Sequence, residues 1–422
     1  MHITKLKLSL LLIFLFFTFF LLSIPYFSGD VTNHIVWGRS IVEEGPKGFY
    51  SRYFHDYSFP NYPPISMFSF AIGVILLDLS TFLVNTLNNT ISAFPSQAVY
   101  LMKERNIQVA FLKIPAILPF ILSGAVIFYL AKQFKKTDKQ SLIYALAFLF
   151  NPAFFYLAVV WGQNDFSQVL FILLAILFLI KNSFYPTAIF AALSILSKQT
   201  VLMIWGLFIL TFAKIFNLTK SLISLAIAAA LLWLFYMPFN ENSLIWPFTF
   251  YNETLRTTGL LVADNAINFW GLISRFRPAD SQEIIFLKLE YWGFILFAVL
   301  FLPLLYKYLK EKFTVERFIY FLFMASITYF FALTRMHERY LIFGAIFAHL
   351  LLMKNKKYLY NLIFFSVLLF LNMFKGLHMP HIQFLEDLMN SVPFLSILGI
   401  GYLAILCFNY YYFIYRLKNE KN

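Results

Sequence analysis

The chain has 422 residues, 61% hydrophobic and 13% charged, with a formal net charge of +13. A soluble protein carries about a quarter charged residues, so a soluble globular fold is excluded. The basic residues stand in short clusters between apolar runs. That is the positive-inside pattern of a polytopic membrane protein, not a stripe for nucleic acid.

The first apolar run, Leu8 to Phe27, follows Lys5 and Lys7. It is long for a signal-peptide core and no small-residue cleavage site follows, so it reads as an anchor with a cytoplasmic N-terminus. Next comes a polar and aromatic stretch, 28–64, which opens with Asp30 and His34 and ends in Asn61-Tyr62-Pro63-Pro64. The apolar segment 63–84 follows. Read as a span, it would place Lys132, Lys135, Lys136 and Lys139 outside and invert every later loop. Asp78 lies within it, and a mid-bilayer carboxylate is costly unless paired. The segment therefore reads as a re-entrant or interfacial helix, followed by a loop over 85–106.

Further helices are expected at 107–131, 141–160, 166–181, 183–197, 199–216, 221–239, 285–306, 316–334, 340–353, 358–374 and 392–413. With the anchor they make about twelve crossings and leave both termini in the cytoplasm. The outer loop 28–106 is near balance, with five Lys/Arg against six Asp/Glu, while the inner loops are basic. The fold class is all-α and polytopic. No internal repeat or Gly/Ser linker divides the chain, so 1–422 reads as one membrane domain with a second large outer loop at 240–284. The one cysteine, Cys407, lies in the last apolar run and excludes an intrachain disulfide or a cysteine metal cluster.

This topology gathers the unusual polar residues on the outer face. They are Asp30, His34, Trp161, Gln163, Asp165, Lys198, Asn268, Arg335, His337, Glu338, Arg339 and Tyr340. Polar groups collected at one membrane face point to a cavity there. Such a set suits glycosyl transfer from a lipid phosphate. Phosphate leaves as a stable anion, so one carboxylate base suffices and no general acid is needed. Asp30 is the candidate base; Arg335, Arg339, His337 and Lys198 are candidates to hold phosphate. Each also has a structural reading. Trp161 to Asp165 fits an interfacial turn with Asp165 as a helix cap. Arg335 and Arg339 flank Glu338 and could knot with it. Asn268 and Trp270 fit a loop cap and anchor.

Several segments are familiar together: Gly29-Asp30, Tyr62-Pro63-Pro64, Asn151-Pro152, Trp161-Gly162-Gln163-x-Asp165, Lys198-Gln199, Asn268-x-Trp270 and His337-Glu338-Arg339-Tyr340. In this order, over about residues 8–350, they resemble the GT-C superfamily of polytopic glycosyltransferases. The likeness is greatest to bacterial relatives of the second mannosyltransferase of GPI-anchor synthesis. It is looser to the dolichol-phosphate-glucose-dependent glucosyltransferases. The resemblance implies inverting transfer of a hexose, mannose or glucose, from a polyprenyl-phosphate sugar to a glycan or lipid acceptor on the non-cytoplasmic face of a bacterial plasma membrane. Asp30 would be the base. The implied partners are membrane lipids, the donor and the acceptor, with no nucleic acid. Asn61 stands where relatives often have Asp, which weakens the case for a second carboxylate; Asp56 is nearby but unaligned. Asp30 is followed by Val31 and Thr32, so no metal and no cofactor beyond the donor is expected. Two other readings share the outer location: a transporter or flippase for lipid-linked saccharides, and an O-antigen ligase or polymerase. A transporter would show repeat symmetry and paired broken helices.

Overall fold

The computed structural model describes residues 8, 12–16, 20, 28–240, 243–257, 260–274 and 279–417. The expected anchor is helical at its described positions; the rest of it, with Lys5, Lys7, Lys418 and Lys421, lies outside the described residues. The protein is an all-α chain of polytopic membrane type. Two-residue strands supply its only sheet among the described residues. The chain forms two compact units. One comprises 1–149, 155–205 and 222–255; the other comprises 150–154, 206–221 and 256–422.

The apolar periodicity locates the helices closely. The helix expected at 107–131 is Arg105–Gln133, and that at 358–374 is Leu359–Leu377. The count of crossings is where the structure departs from expectation. Among the described residues seven helices are long and apolar enough to cross a membrane, or eight if the bent pair Asp138–Leu149 and Pro152–Trp161 counts as one. The segments at 166–181, 183–197, 199–216 and 340–353 fold as helices of 16, 14, 14 and 13 residues. At 1.5 Å per residue these fall short of a hydrocarbon core about 30 Å thick. Twelve full crossings are therefore not what the helix lengths support.

The segment after Pro63 also differs. It is one unbroken helix, Pro64–Thr90, of 27 residues. A re-entrant path needs a break, and this helix has none; a continuous helix fits the interfacial reading or a span. The argument from Asp78 fails for a definite reason: Arg39 Nη1 lies 2.6 Å from its Oδ2. The expected loop 85–106 is replaced by the end of this helix and a short helix, Gln97–Leu101.

In the first unit the polar stretch after the anchor is not a loop. It begins as the helix Gly29–Glu44, capped by Ser28, whose side chain accepts from Val31 N at 3.2 Å. Gly45, at φ +77°, ends it. Arg52 then donates to the carbonyls of Ser40, Gly45 and Lys47 at 3.1, 2.7 and 2.9 Å, which satisfies the helix C-terminus. The following turns bury Phe49, Tyr50 and Tyr62 against Trp37, Phe70, Tyr236 and Phe239. Tyr50 OH donates to Tyr62 O at 2.7 Å, fixing the entry into Pro63-Pro64. Pro64 at the helix start costs nothing, because that N–H would have no intrahelical partner.

The Gly29–Glu44 helix packs on Pro64–Thr90, which packs in turn on Arg105–Gln133. The first of these contacts is made at Gly38. A Cβ there would stand 2.6 Å from the Phe70 carbonyl oxygen, a backbone atom that cannot move aside. Gly38→Val is expected to lower stability by about 1–3 kcal/mol, read as a lower melting temperature of the detergent-solubilised protein. An unchanged melt would show that the two helices are not in close contact.

In the second unit Leu289–Lys310, Val315–Ala332, Ile342–Lys354 and Leu359–Leu377 pack in sequence, and Val392–Tyr411 packs on Val315–Ala332. Asn361 and Asn409 are fully buried and exchange amide bonds at 2.9 and 2.8 Å. Tyr320 OH joins them at Asn409 Oδ1. Such bonds are a main source of helix–helix adhesion where lipid removes the hydrophobic drive.

Candidate functional site

The site in the first unit grows from a helix end. The Tyr156–Trp161 segment winds as a π-helical turn and stops. A helix that stops in apolar surroundings leaves carbonyls unpaired. Lys113, buried in the Arg105–Gln133 helix, supplies the donor: its Nζ donates to the carbonyls of Val159 and Val160 at 3.3 and 2.6 Å. Gly162 follows at φ +79°. A Cβ there would meet Lys113 Cγ at 2.9 Å and Val31 Cγ2 at 3.0 Å, so sterics and backbone both require glycine. The turn delivers Gln163, whose Nε2 donates to Asp30 Oδ2. Asp30 stands half-buried in the first turn of its helix, where the helix dipole favours a carboxylate.

A second cluster lies one turn further on. Asp165 opens the helix Asp165–Ile180 and accepts from Lys198 Nζ at 2.7 Å. Both side chains are buried, at 1% and 2% exposure. Gln168 donates to the other Asp165 oxygen at 3.3 Å and accepts from Thr200 Oγ1 at 3.0 Å. Lys198 Nζ also sits 5.0 Å from the centre of the Tyr62 ring. Gln199 donates to the Asn61 carbonyl at 2.9 Å, so position 61 contributes backbone here. His34 is buried and stacks on Phe70 with ring centres 4.0 Å apart.

The second unit holds the rest. Ala263–Asp264 pairs in parallel with Met336–His337, and Asp264 is the register partner of His337. His337 Nδ1 lies 3.2 Å from Asp264 Oδ2 and 4.0 Å from Glu338 Oε2. The His337 hydrogen bond holds the Asp264 carboxyl below its usual range, against the opposing effect of burial. Glu338 accepts from Arg339 Nη1 at 2.6 Å. The Tyr340 ring centre lies 5.1 Å from that of His337. Arg335, at φ +59°, turns to Asp280 and reaches Glu290 at 3.2 Å.

These contacts give the expected site residues their neighbours. Gln163 and Asp165 are fully buried and hold Asp30 and Lys198. Trp161 and His34 are buried. Lys198 is neutralised by Asp165, and Arg335 by two carboxylates, so neither presents an uncompensated charge to a phosphate. Asn268 donates to the carbonyls of Phe330 and Leu333 at 3.1 and 3.2 Å and accepts from Gly271 N at 2.8 Å. Its amide has no donor left for a ligand; it is the cap and anchor of the alternative reading. The knot around Glu338 forms with Arg339 but not with Arg335.

Sequence reasoning missed Lys113, Asp264, Asp280 and Glu290. A charge inside an apolar run was the available signal for Lys113. Nothing in spacing marks the three acids, whose partners lie 45–73 positions away. Compared with known proteins, the chain matches no family model and no curated protein.

Lys198→Ala would leave Asp165 charged and buried, and a loss of about 3–5 kcal/mol is expected. Lys198→Ala with Asp165→Ala should lose less than the single change, because the stranded charge is gone. Thermal unfolding of the three proteins decides; a double variant no better than the single would show that the two groups do not interact.

Proposed function

We propose that the protein is an integral-membrane glycosyltransferase. It moves a hexose from a polyprenyl-phosphate sugar to a lipid-linked or cell-surface acceptor, with inversion, on the non-cytoplasmic face. The observation that carries this reading is the Asp30 carboxylate. It is half-buried at a helix N-terminus, and a fully buried amide, Gln163, holds one of its oxygens. A general base must be held at a fixed position, and its holder must not compete for the substrate proton. Gln163 meets both needs, since its contact to Asp30 is a donor.

In the proposed step the acceptor oxygen loses its proton to Asp30 and forms the new bond to the anomeric carbon. The bond from that carbon to the phosphate oxygen breaks on the opposite face, which inverts the centre. The phosphate leaves with the electron pair and needs no acid. The resemblance to GT-C enzymes supports the reading through Gly29-Asp30, Trp161-Gly162-Gln163-x-Asp165 and His337-Glu338-Arg339-Tyr340. Arg339 and His337, the other two groups first considered for the phosphate, are paired as Lys198 and Arg335 are. Each has a carboxylate beside it in the chain as it stands.

General-base catalysis is worth about 10²–10⁴-fold. Asp30→Asn should lower hexosyl transfer by at least about 100-fold in liposomes carrying polyprenyl-phosphate mannose or glucose, while the protein stays folded. Activity retained in that variant would refute the mechanism.

The orientation has a separate test. Cysteine at position 29, beside the proposed base, should react with an impermeant maleimide added outside intact cells, and, with Pro64–Thr90 lying along the interface, cysteine at 136 should not. The reverse pattern would place Asp30 on the cytoplasmic side.

A further inference from the structure

We propose that Asp264, His337 and Glu338 bind one divalent metal ion of the zinc or manganese class. The three side chains each offer one ligand atom, and these atoms lie within 4.8 Å of one another. His337 Nδ1 is 3.2 Å from Asp264 Oδ2 and 4.0 Å from Glu338 Oε2. Three ligands at about 2.1 Å from a tetrahedral ion stand about 3.4 Å apart. The observed separations bracket that figure, so small side-chain shifts would close the shell.

The backbone prepares this geometry. Asp264 and His337 are register partners in a parallel pair, and Asn265 bridges to His337 as well. Two residues fixed in that way present their side chains together without relying on loop chance. The outer oxygens of the carboxylates are already used. Asn265 Nδ2 donates to Asp264 Oδ1 at 3.2 Å, and Arg339 Nη1 donates to Glu338 Oε1 at 2.6 Å. Each bond leaves the remaining oxygen on the His337 side. Outer-shell donors of this kind orient the ligands of metal sites. Gly376 adds the room: a Cβ there would stand 3.1 Å from Glu338 Cγ.

The ligand chemistry sets the class of ion. One imidazole and two carboxylates suit zinc, manganese or ferrous iron better than copper(I), and they fall short of the six or more oxygens calcium takes. Three protein ligands leave a coordination position open, as in sites where the metal takes water or an anionic oxygen. The sequence argument against a metal concerned Asp30-Val31-Thr32, where no second acid follows. It does not reach this cluster. Nor does the proposal rest on the transfer reading, since its readout is metal content.

The full-length protein in detergent, stripped with chelator and dialysed against Zn²⁺ or Mn²⁺, should retain about one equivalent per chain by elemental analysis. Asp264→Asn and Glu338→Gln keep the side-chain shapes, and each should weaken binding at least tenfold. His381→Ala, a change to the exposed His381–Glu386 pair, should leave it unchanged. In the wild-type protein loaded with Mn²⁺, pulsed electron paramagnetic resonance should show coupling to an imidazole nitrogen. Wild-type protein that binds neither ion would overturn the proposal and leave His337 as a hydrogen-bond partner of Asp264. So would stoichiometric metal that survives both acid variants or shows no nitrogen coupling.

Discussion

Much of the first unit depends on where two carbonyls go. The helix ends in a π-helical turn at Tyr156–Trp161, which carries the carbonyls of Val159 and Val160. Lys113 reaches them from another helix. An unpaired carbonyl and an unpaired ammonium are each costly at membrane depth, and together they solve one another's problem. Gly162 can then pass directly over the lysine stem and turn the chain toward Gln163 and Asp165. Both clusters of this unit follow from that turn. Asp30 is held by Gln163, and Lys198 is held by Asp165.

The same economy recurs in the second unit. Arg335 and Asn265 occupy left-handed backbone positions beside the paired segments at 263–264 and 336–337. Non-glycine residues there carry strain that their surroundings must offset. Arg335 does so through Asp280 and Glu290, and its N–H donates to the Val262 carbonyl at 3.1 Å. The reward is a short stretch of fixed backbone from which Asp264, His337 and Glu338 project.

Polar residues in a membrane protein are often read as functional by default. Here many prove to be structural once their partners are known. Asn268 spends its amide on the end of the Val315–Ala332 helix. Asn361 and Asn409 spend theirs on each other. What distinguishes Asp30 is partial exposure together with a single-purpose buried holder. Lys198 and Asp165, by contrast, are buried and paired with each other.

The sequence by itself determined the class of the protein, the existence of its apolar helices and most of their limits. Those follow from local hydrophobicity, which sums over neighbours in the chain. It also marked Asp30 and the Trp161–Asp165 and His337–Tyr340 segments as unusual. Only the tertiary structure decided what each polar group does, because its partner lies far along the chain. Gln163 meets Asp30 across 133 positions, and Lys198 meets Asp165 across 33. Arg39 reaches Asp78 across 39, so the cost of an unpaired carboxylate does not bear on the Pro64–Thr90 helix. Helix length was the other tertiary matter. Apolar runs such as 183–197 look like spans, yet short polar breaks cap them at lengths below the bilayer core.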